Sequence, residues 1–211
     1  MNKKLILTKL KGILFSILSK TRGYLLFYPF FSGIGSILML HRVIVPAKTG
    51  LARLMLNKSM EISPSYLESI IHYCITHDYE IISLNDLYRL FSEKKKQKKK
   101  FVCFTFDDGY IDIYTTVYPM FRRYNIPFAV HISTDFPDKK ILFWWYALED
   151  IIIKASVLTC DYRGKEITYI LKNAKEREKA FYDLRTKIFK MERIELVSFL
   201  EKICSDNSIS L

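Results

Sequence analysis

The stretch Phe101-Val102-Cys103-Phe104-Thr105-Phe106-Asp107-Asp108-Gly109 begins as a run suited to the interior of a sheet and ends in two acids and a glycine. Short apolar runs rich in aromatic and β-branched residues, bounded by a turn signal, predict a buried strand. A helical pattern from about Ile111 to Tyr124 follows. Adjacent side chains of a regular strand point to opposite faces, so Asp107 and Asp108 can share a site only if the strand ends there and the backbone bends. Gly109 makes that bend inexpensive. Carboxylates at the mouth of an apolar core are normally paired or bound to a cation. Two close together resist ionising at once, and a divalent ion resolves the conflict: one acid becomes a ligand and the other a general base for water. The alternative is that one of the two merely caps the following helix.

Outward from this stretch, strands and helices alternate. Ser36 to Val45 predicts a first core strand ending near His41-Arg42, and Ala47 to Lys58 a loop. Met60 to Ile62 is a short strand, with Ser63 as N-cap and Pro64 in the first helical position of a helix running to about Thr76. Tyr79 to Ile82 predicts a strand, and Ser83 caps a second helix with Asp86 in its first turn. Pro127 opens the strand Phe128 to Ser133. Repeated strand–helix units with short links imply an α/β fold with a parallel sheet, open or closed into a barrel. The later part changes character. Phe143 to Ile153 is a helix, Val157 to Asp161 and Glu166 to Leu171 form a hairpin across Arg163-Gly164, and charged helices cover Asn173 to Met191 and Ile194 to Cys204. Three regions result: a basic segment over 1–31, an α/β body over 36–150, and an insertion or lid over 151–211.

The formal net charge of +11 invites a nucleic-acid reading until it is localised. Residues 1–23 carry +6 with no acid, and the run Lys94 to Lys100, interrupted by Gln97, carries another +6, which leaves the remainder at −1. A lysine run without interleaved aromatics reads first as a solvated loop, next as a surface for anionic headgroups or phosphorylated glycans, and last as a nucleic-acid site. No nucleic-acid partner is therefore expected. Cys74, Cys103, Cys160 and Cys204 are widely spaced, which argues against a zinc site or a disulfide framework and for inert thiols in a reducing compartment.

At the N-terminus, Ile6, Leu10, Ile13, Leu14 and Ile17 form one helical stripe. Lys9 and Lys11 interrupt the continuous apolar core that an export signal needs. The uncharged stretch Tyr24 to Leu40 is at the lower limit for a membrane span and contains Pro29, Gly33 and Gly35. Residues 24–31 are instead an apolar segment that packs on the body or lies in a membrane interface. A basic amphipathic helix followed by aromatics suits peripheral membrane contact through residues 3–31; a helix closing one end of the domain is the other reading. The expected location is cytoplasmic, with membrane association.

Thr105-Phe106-Asp107-Asp108-Gly109 resembles the first motif of the polysaccharide deacetylases, the NodB-homology domain of carbohydrate esterase family 4. Leu40-His41-Arg42-Val43 resembles the first barrel strand of a subgroup that reads Tyr-His-Arg-Val there. Ile81-Ile82-Ser83-Leu84 through Leu87, Tyr118-Pro119, Tyr124-Asn125-Ile126-Pro127 and the Phe128–Thr134 strand are similar to the flanking units, and Trp144-Trp145 to that subgroup's insertion. The likeness covers roughly residues 36–150. It implies a partial, distorted (β/α) barrel and a metal-dependent hydrolase that removes acetyl groups from a carbohydrate, the partner being an acetylated glycan or lipid-linked sugar. By position, Asp107 is then the general base, Asp108 a ligand of a divalent metal (zinc or similar), and His41 a substrate or second-shell residue; a hydrogen-bonded wall residue is the other reading of His41.

The family completes its metal site with a later His-Ser/Thr-x-x-His motif, and none of His41, His72, His77 and His131 begins such a pattern. His72 and His77 are expected at or near the surface, and His131 in the core or the barrel lining. The chain therefore reads as the N-terminal portion of a longer deacetylase, its metal site incomplete and its activity weak or absent alone. The alternative is a non-catalytic member that binds a glycan or a membrane surface.

Overall fold

The computed structural model describes residues 3–26, 33–45, 53–93, 97–138 and 142–210, with side chains from residue 11 onward. Lys94–Lys96, residues 27–31 of the apolar segment and the first half, 47–52, of the loop expected over 47–58 lie outside the described residues.

The strand Phe101–Asp107, β5, organises the body. Its residues from Phe101 to Phe106 are all buried, which accounts for a run without alternation. From Phe101 to Phe106 it pairs in parallel with β1 (Gly35–Leu40), in the register Gly35↔Phe101 to Leu40↔Phe106. Its other edge is shared. β4 (Glu80–Ile81) pairs at Phe101 and Val102, and β6 (Ala129–His131) pairs at Thr105 to Asp107. The strand expected over 36–45 is broken after Leu40. β2 (Arg42–Val43) turns away and pairs in parallel with β3 (Glu61–Ile62) as a separate sheet. The parallel α/β class is as expected, and among the described residues no sheet closes into a barrel.

α1 covers Lys3–Lys20 and α2 is the single turn Met55–Lys58, inside what reads as a loop in sequence. α3 (Pro64–Thr76) and α4 (Leu84–Ser92) start as their caps dictate. Ser63 Oγ accepts from the Tyr66 amide, and Ser83 Oγ accepts from the Asp86 amide while donating to the Asp86 carboxylate. The helix expected over 111–124 is helical from Ile111, passes through a π-turn, Ile113–Val117, and continues as α5, Tyr118–Tyr124.

One face of the sheet, carrying Val102, Phe104 and Phe106, packs on Leu67, Ile71 and Cys74 of α3 and on Met120 and Phe121 of α5. Phe121 sits edge-on to Phe104, Phe106 and Phe128, with centroids 5.1, 5.7 and 5.0 Å away. Near the start of β5, Phe101 joins Ile82, Leu87 and Leu90. Its ring lies over Gly35, where an added Cβ would come within 2.4 Å. Only glycine fits there.

A second core lies in the C-terminal part. α6 (Trp144–Lys154), the hairpin β7 (Val157–Tyr162) and β8 (Lys165–Ile170), α7 (Ala174–Ile188) and α8 (Arg193–Asp206) bury Leu148, Ile152, Leu158, Phe181, Leu184 and Leu200 between them. Arg163 and Gly164 both have positive φ, 55° and 77°, the two-residue turn whose twist matches a hairpin. A buried acid on α6 fastens the segment around α2 to this second core. Glu149 is fully buried and accepts from Arg53 Nη1, the Leu54 amide and Asn57 Nδ2. A carboxylate this deep is tolerable because each contact answers its charge.

Candidate functional site

The site grows from the C-terminal end of β5, where ligand sites of parallel sheets form. Asp107 is the last residue of the strand, half-buried. Asp108 and Gly109 both adopt positive φ, 69° and 70°, so the bend expected from sequence takes two residues. Asp is among the few side-chain-bearing residues that accept this conformation. Gly109 is further constrained by space, since a Cβ would stand 3.2 Å from Ile132.

His131 lies directly opposite Asp107 in the β5–β6 register. Its Nδ1 is 2.8 Å from Asp107 Oδ1. A carboxylate accepts only, so Nδ1 donates and Nε2 remains for another partner. The His131 side chain is 57 % exposed and that of Asp107 25 %. The expectation of a core or lining histidine is therefore corrected: His131 stands exposed at the strand end, its ring turned to Asp107. His72, as expected, is at the surface, bonded to Tyr124 Oη; His77 stacks on Tyr73.

Asp107 and Asp108 do not share a hydrogen bond, and among the described residues none donates to the Asp108 carboxylate. Asp108 lies near Tyr110, whose phenol is pushed far up by burial first and then by the fields of Tyr146 and Asp108, against the Trp145 hydrogen bond and Arg42. Trp145 Nε1 donates to Tyr110 Oη at 3.2 Å, and Phe143 stacks on the Tyr110 ring at 4.9 Å and on Phe136 at 3.9 Å. An aromatic wall thus stands beside the acids, with Trp145 from the Trp144-Trp145 pair.

His41 follows Leu40, which is level with Phe106, so the chain leaves β1 at the level of Asp107. The residue is half-buried and, among the described residues, has no hydrogen-bond partner. Its neighbour is the engaged one. Arg42 Nε and Nη2 donate to Asp112 Oδ1 at 3.1 and 3.0 Å, and the Val43 amide donates to Asp112 Oδ2 at 2.7 Å. The guanidinium lies 4.7 Å from the Tyr110 centroid and 5.4 Å from that of Tyr146. Burial works against its charge, but Tyr146 and Asp112 outweigh that and its pKa is raised. Asp112 is held behind the Asp107–Asp108 turn as a brace between β2 and the π-turn. Sequence reasoning missed Arg42 and Asp112, although Arg42 stands within the quoted Leu40–Val43 stretch; an acid on the inner side of the helix after Gly109 was the available signal.

A divalent ion asks for three or four protein donors or a set completed by water. Among the described residues no three His, Cys, Asp or Glu side chains converge, and Asp107 is engaged by His131. The described residues do not make up the expected metal site. Cys74, Cys103 and Cys160 are buried free thiols, each with its pKa raised by burial, and none adds a ligand.

No curated protein matches the chain in sequence. Among solved structures it is similar to a de-N-acetylase from Aggregatibacter actinomycetemcomitans, at 17 % identity and TM-score 0.39, covering 71 % of this chain and 51 % of that one. It is also similar to the Streptococcus pyogenes deacetylase PplD in complex with acetate, at 24 % identity and TM-score 0.39, over 50 % of this chain and 44 % of that one. The deacetylase domain of BpsB from Bordetella bronchiseptica gives 15 % identity and TM-score 0.34, over 83 % and 76 %. The chain thus spans about half the length of the first two. The polysaccharide deacetylase family model matches residues 94–168. That span holds β5, the Asp-Asp-Gly turn, β6 with His131, and the aromatic wall, and over it this chain is similar to the polysaccharide deacetylase family.

Proposed function

We propose that the Asp107–His131 pair is the reacting centre of a carbohydrate deacetylase, with an acetylated glycan or lipid-linked sugar as substrate. The observation that carries this is the 2.8 Å bond from His131 Nδ1 to Asp107 Oδ1 at the C-terminal end of the central strand. In this reading Asp107 Oδ2, left free by the bond, accepts a proton from the water that attacks the acetyl carbonyl. The tetrahedral intermediate then collapses: the bond from carbonyl carbon to the sugar nitrogen or oxygen breaks as Asp107 returns its proton to that departing atom, and acetate and the free amine or hydroxyl of the sugar leave. His131 holds the carboxylate in one rotamer and presents Nε2 to the substrate side. Arg42 and Asp112 keep the turn in register with β2, and the aromatic wall from Tyr110 to Phe136 offers faces on which a sugar ring can stack. The sheet is then an arc of a (β/α) barrel, whose strand ends carry the chemistry. The family resemblance makes Asp108 a metal ligand; no step is routed through an ion, because the described residues do not complete its site.

A second reading, a member that binds acetylated glycan without turning it over, is favoured by that same lack of a converging donor set. Acetate release and binding, both measured with an N-acetylated chito-oligosaccharide, separate the two. Deacetylation predicts release that Asp107→Asn lowers by about a hundredfold or more, that His131→Ala also lowers, and that His131→Asn partly restores because its amide can donate to Asp107. Binding with no release in any variant supports the second reading. Neither binding nor release in a folded chain overturns both.

A further inference from the structure

The N-terminal segment has no place in the chemistry, and its surface is unlike the rest. None of the described residues from 11 to 26 is buried. Ile13, Leu14, Phe15, Ile17, Tyr24, Leu25 and Leu26 are each at least 48 % exposed, Leu26 reaching 77 %. A helix that closed one end of the body would bury such residues. At 100° per residue Ile13, Ile17, Leu14 and Leu18 form one continuous apolar face of α1, and Lys11 and Lys20 fall at its two margins. Lysines so placed can lay their stems along an apolar surface and keep their ammonium groups in the polar layer above. After α1 the turn Gly23–Leu26 continues the uncovered surface with Tyr24, Leu25 and Leu26.

Charge identifies the occupant. Residues 1–23 carry six Lys and Arg and no Asp or Glu, which is +6 of the chain's net charge of +11. An apolar surface set in an unrelieved cationic field matches an anionic bilayer, where acyl chains take the leucines and headgroups take the lysines. Among the described residues no helix is long and apolar enough to cross a membrane.

The sheet register supplies the orientation. β1 begins opposite Phe101, and the Phe101 amide donates to Ile34 O. The chain coming from α1 thus enters the sheet beside Lys98, Lys99 and Lys100, Lys99 being paired with Asp78 at 2.5 Å. Asp107 lies six residues further along β5, about 20 Å away at the strand rise. We propose that residues 11–26 form an interfacial anchor for anionic membranes, with the N-terminal end of the sheet towards the lipid and the Asp107–Asp108 end away from it.

Co-sedimentation of the full chain with vesicles of phosphatidylcholine alone, or mixed with phosphatidylglycerol, tests this. The expected result is partitioning to the anionic vesicles at least about tenfold stronger than to the neutral ones, weakened by added salt. Leu25→Glu with Leu26→Glu should lower it by about tenfold or more. Lys11→Gln, Lys20→Gln and Arg22→Gln together should lower it on the order of a hundredfold. These side chains have no buried contacts, so an unchanged thermal midpoint confirms that each variant is folded. Equal binding to neutral and anionic vesicles, undiminished binding by the leucine variant, or a chain that stays in solution overturns the proposal. So does self-association that the leucine variant abolishes while vesicles leave it untouched, since the surface is then an interface between copies.

Discussion

Replacing Asp112 by alanine tests the brace behind the site. Asp112 accepts both Arg42 donors and the Val43 amide. The two side chains are only 19 % and 9 % exposed. Breaking one partner out of such a pair leaves a poorly solvated cation and costs about 3–5 kcal/mol. The orphaned Val43 amide costs about 1–3 kcal/mol where water cannot reach it, and the two overlap because both describe the loss of one carboxylate. Arg42 keeps the faces of Tyr110 and Tyr146, which recover part of the loss. The expected cost of Asp112→Ala is therefore about 3–4 kcal/mol, a large share of the 5–15 kcal/mol that holds an ordinary domain. Urea unfolding should show it as a lower midpoint at unchanged slope. Replacing both partners, Arg42→Met with Asp112→Leu, should cost clearly less than Asp112→Ala alone, because no charge is left stranded. A loss below about 1 kcal/mol for Asp112→Ala would refute the reasoning, for the guanidinium would then be served by solvent.

Other outcomes follow from the packing. Phe121→Ala empties the centre of the aromatic cluster under β5 and should cost about 3–5 kcal/mol in the same unfolding assay. Gly35→Ala drives a methyl into the Phe101 ring and should cost about 1–3 kcal/mol, with Phe101→Leu in the same chain recovering part of it. Asp183 accepts from Tyr169 Oη and Lys187 Nζ. Burial opposes its charge, but these two partners prevail and hold its pKa below the usual carboxylate value. A depressed folded pKa means stability that is present above about pH 4 and lost as pH falls through the folded value. Asp183→Asn should thus lower the thermal midpoint at neutral pH, and the difference from the parent chain should shrink as pH falls through the depressed value of Asp183.

Much of the architecture could be read from local rules. The caps at Ser63 and Ser83 start their helices where expected, because a side-chain oxygen answering an amide two or three residues on needs nothing from the rest of the molecule. The hairpin turn at Arg163-Gly164 is local in the same way. What was misread depends on distant partners. His131 stands in a short run between Pro127 and Ser133 that looks like core, and its exposure follows from pairing with the last residue of β5 rather than from its neighbours in sequence. Asn57, in a stretch that reads as loop, is fully buried because it reaches Glu149 on α6.

By itself the sequence determined the β5 run, the Asp107-Asp108-Gly109 turn, the parallel α/β class and the basic, acid-free N-terminus, since each is a matter of neighbouring residues and periodicity. Only the tertiary structure decided that Asp107 pairs with His131, that Arg42 rather than His41 is the engaged residue of its stretch, and that Glu149 holds Arg53, Leu54 and Asn57 against the C-terminal core. Those contacts span 24, 70 and 96 residues of chain. They are set by strand register and by which buried charge finds which partner, and both are properties of the folded sheet.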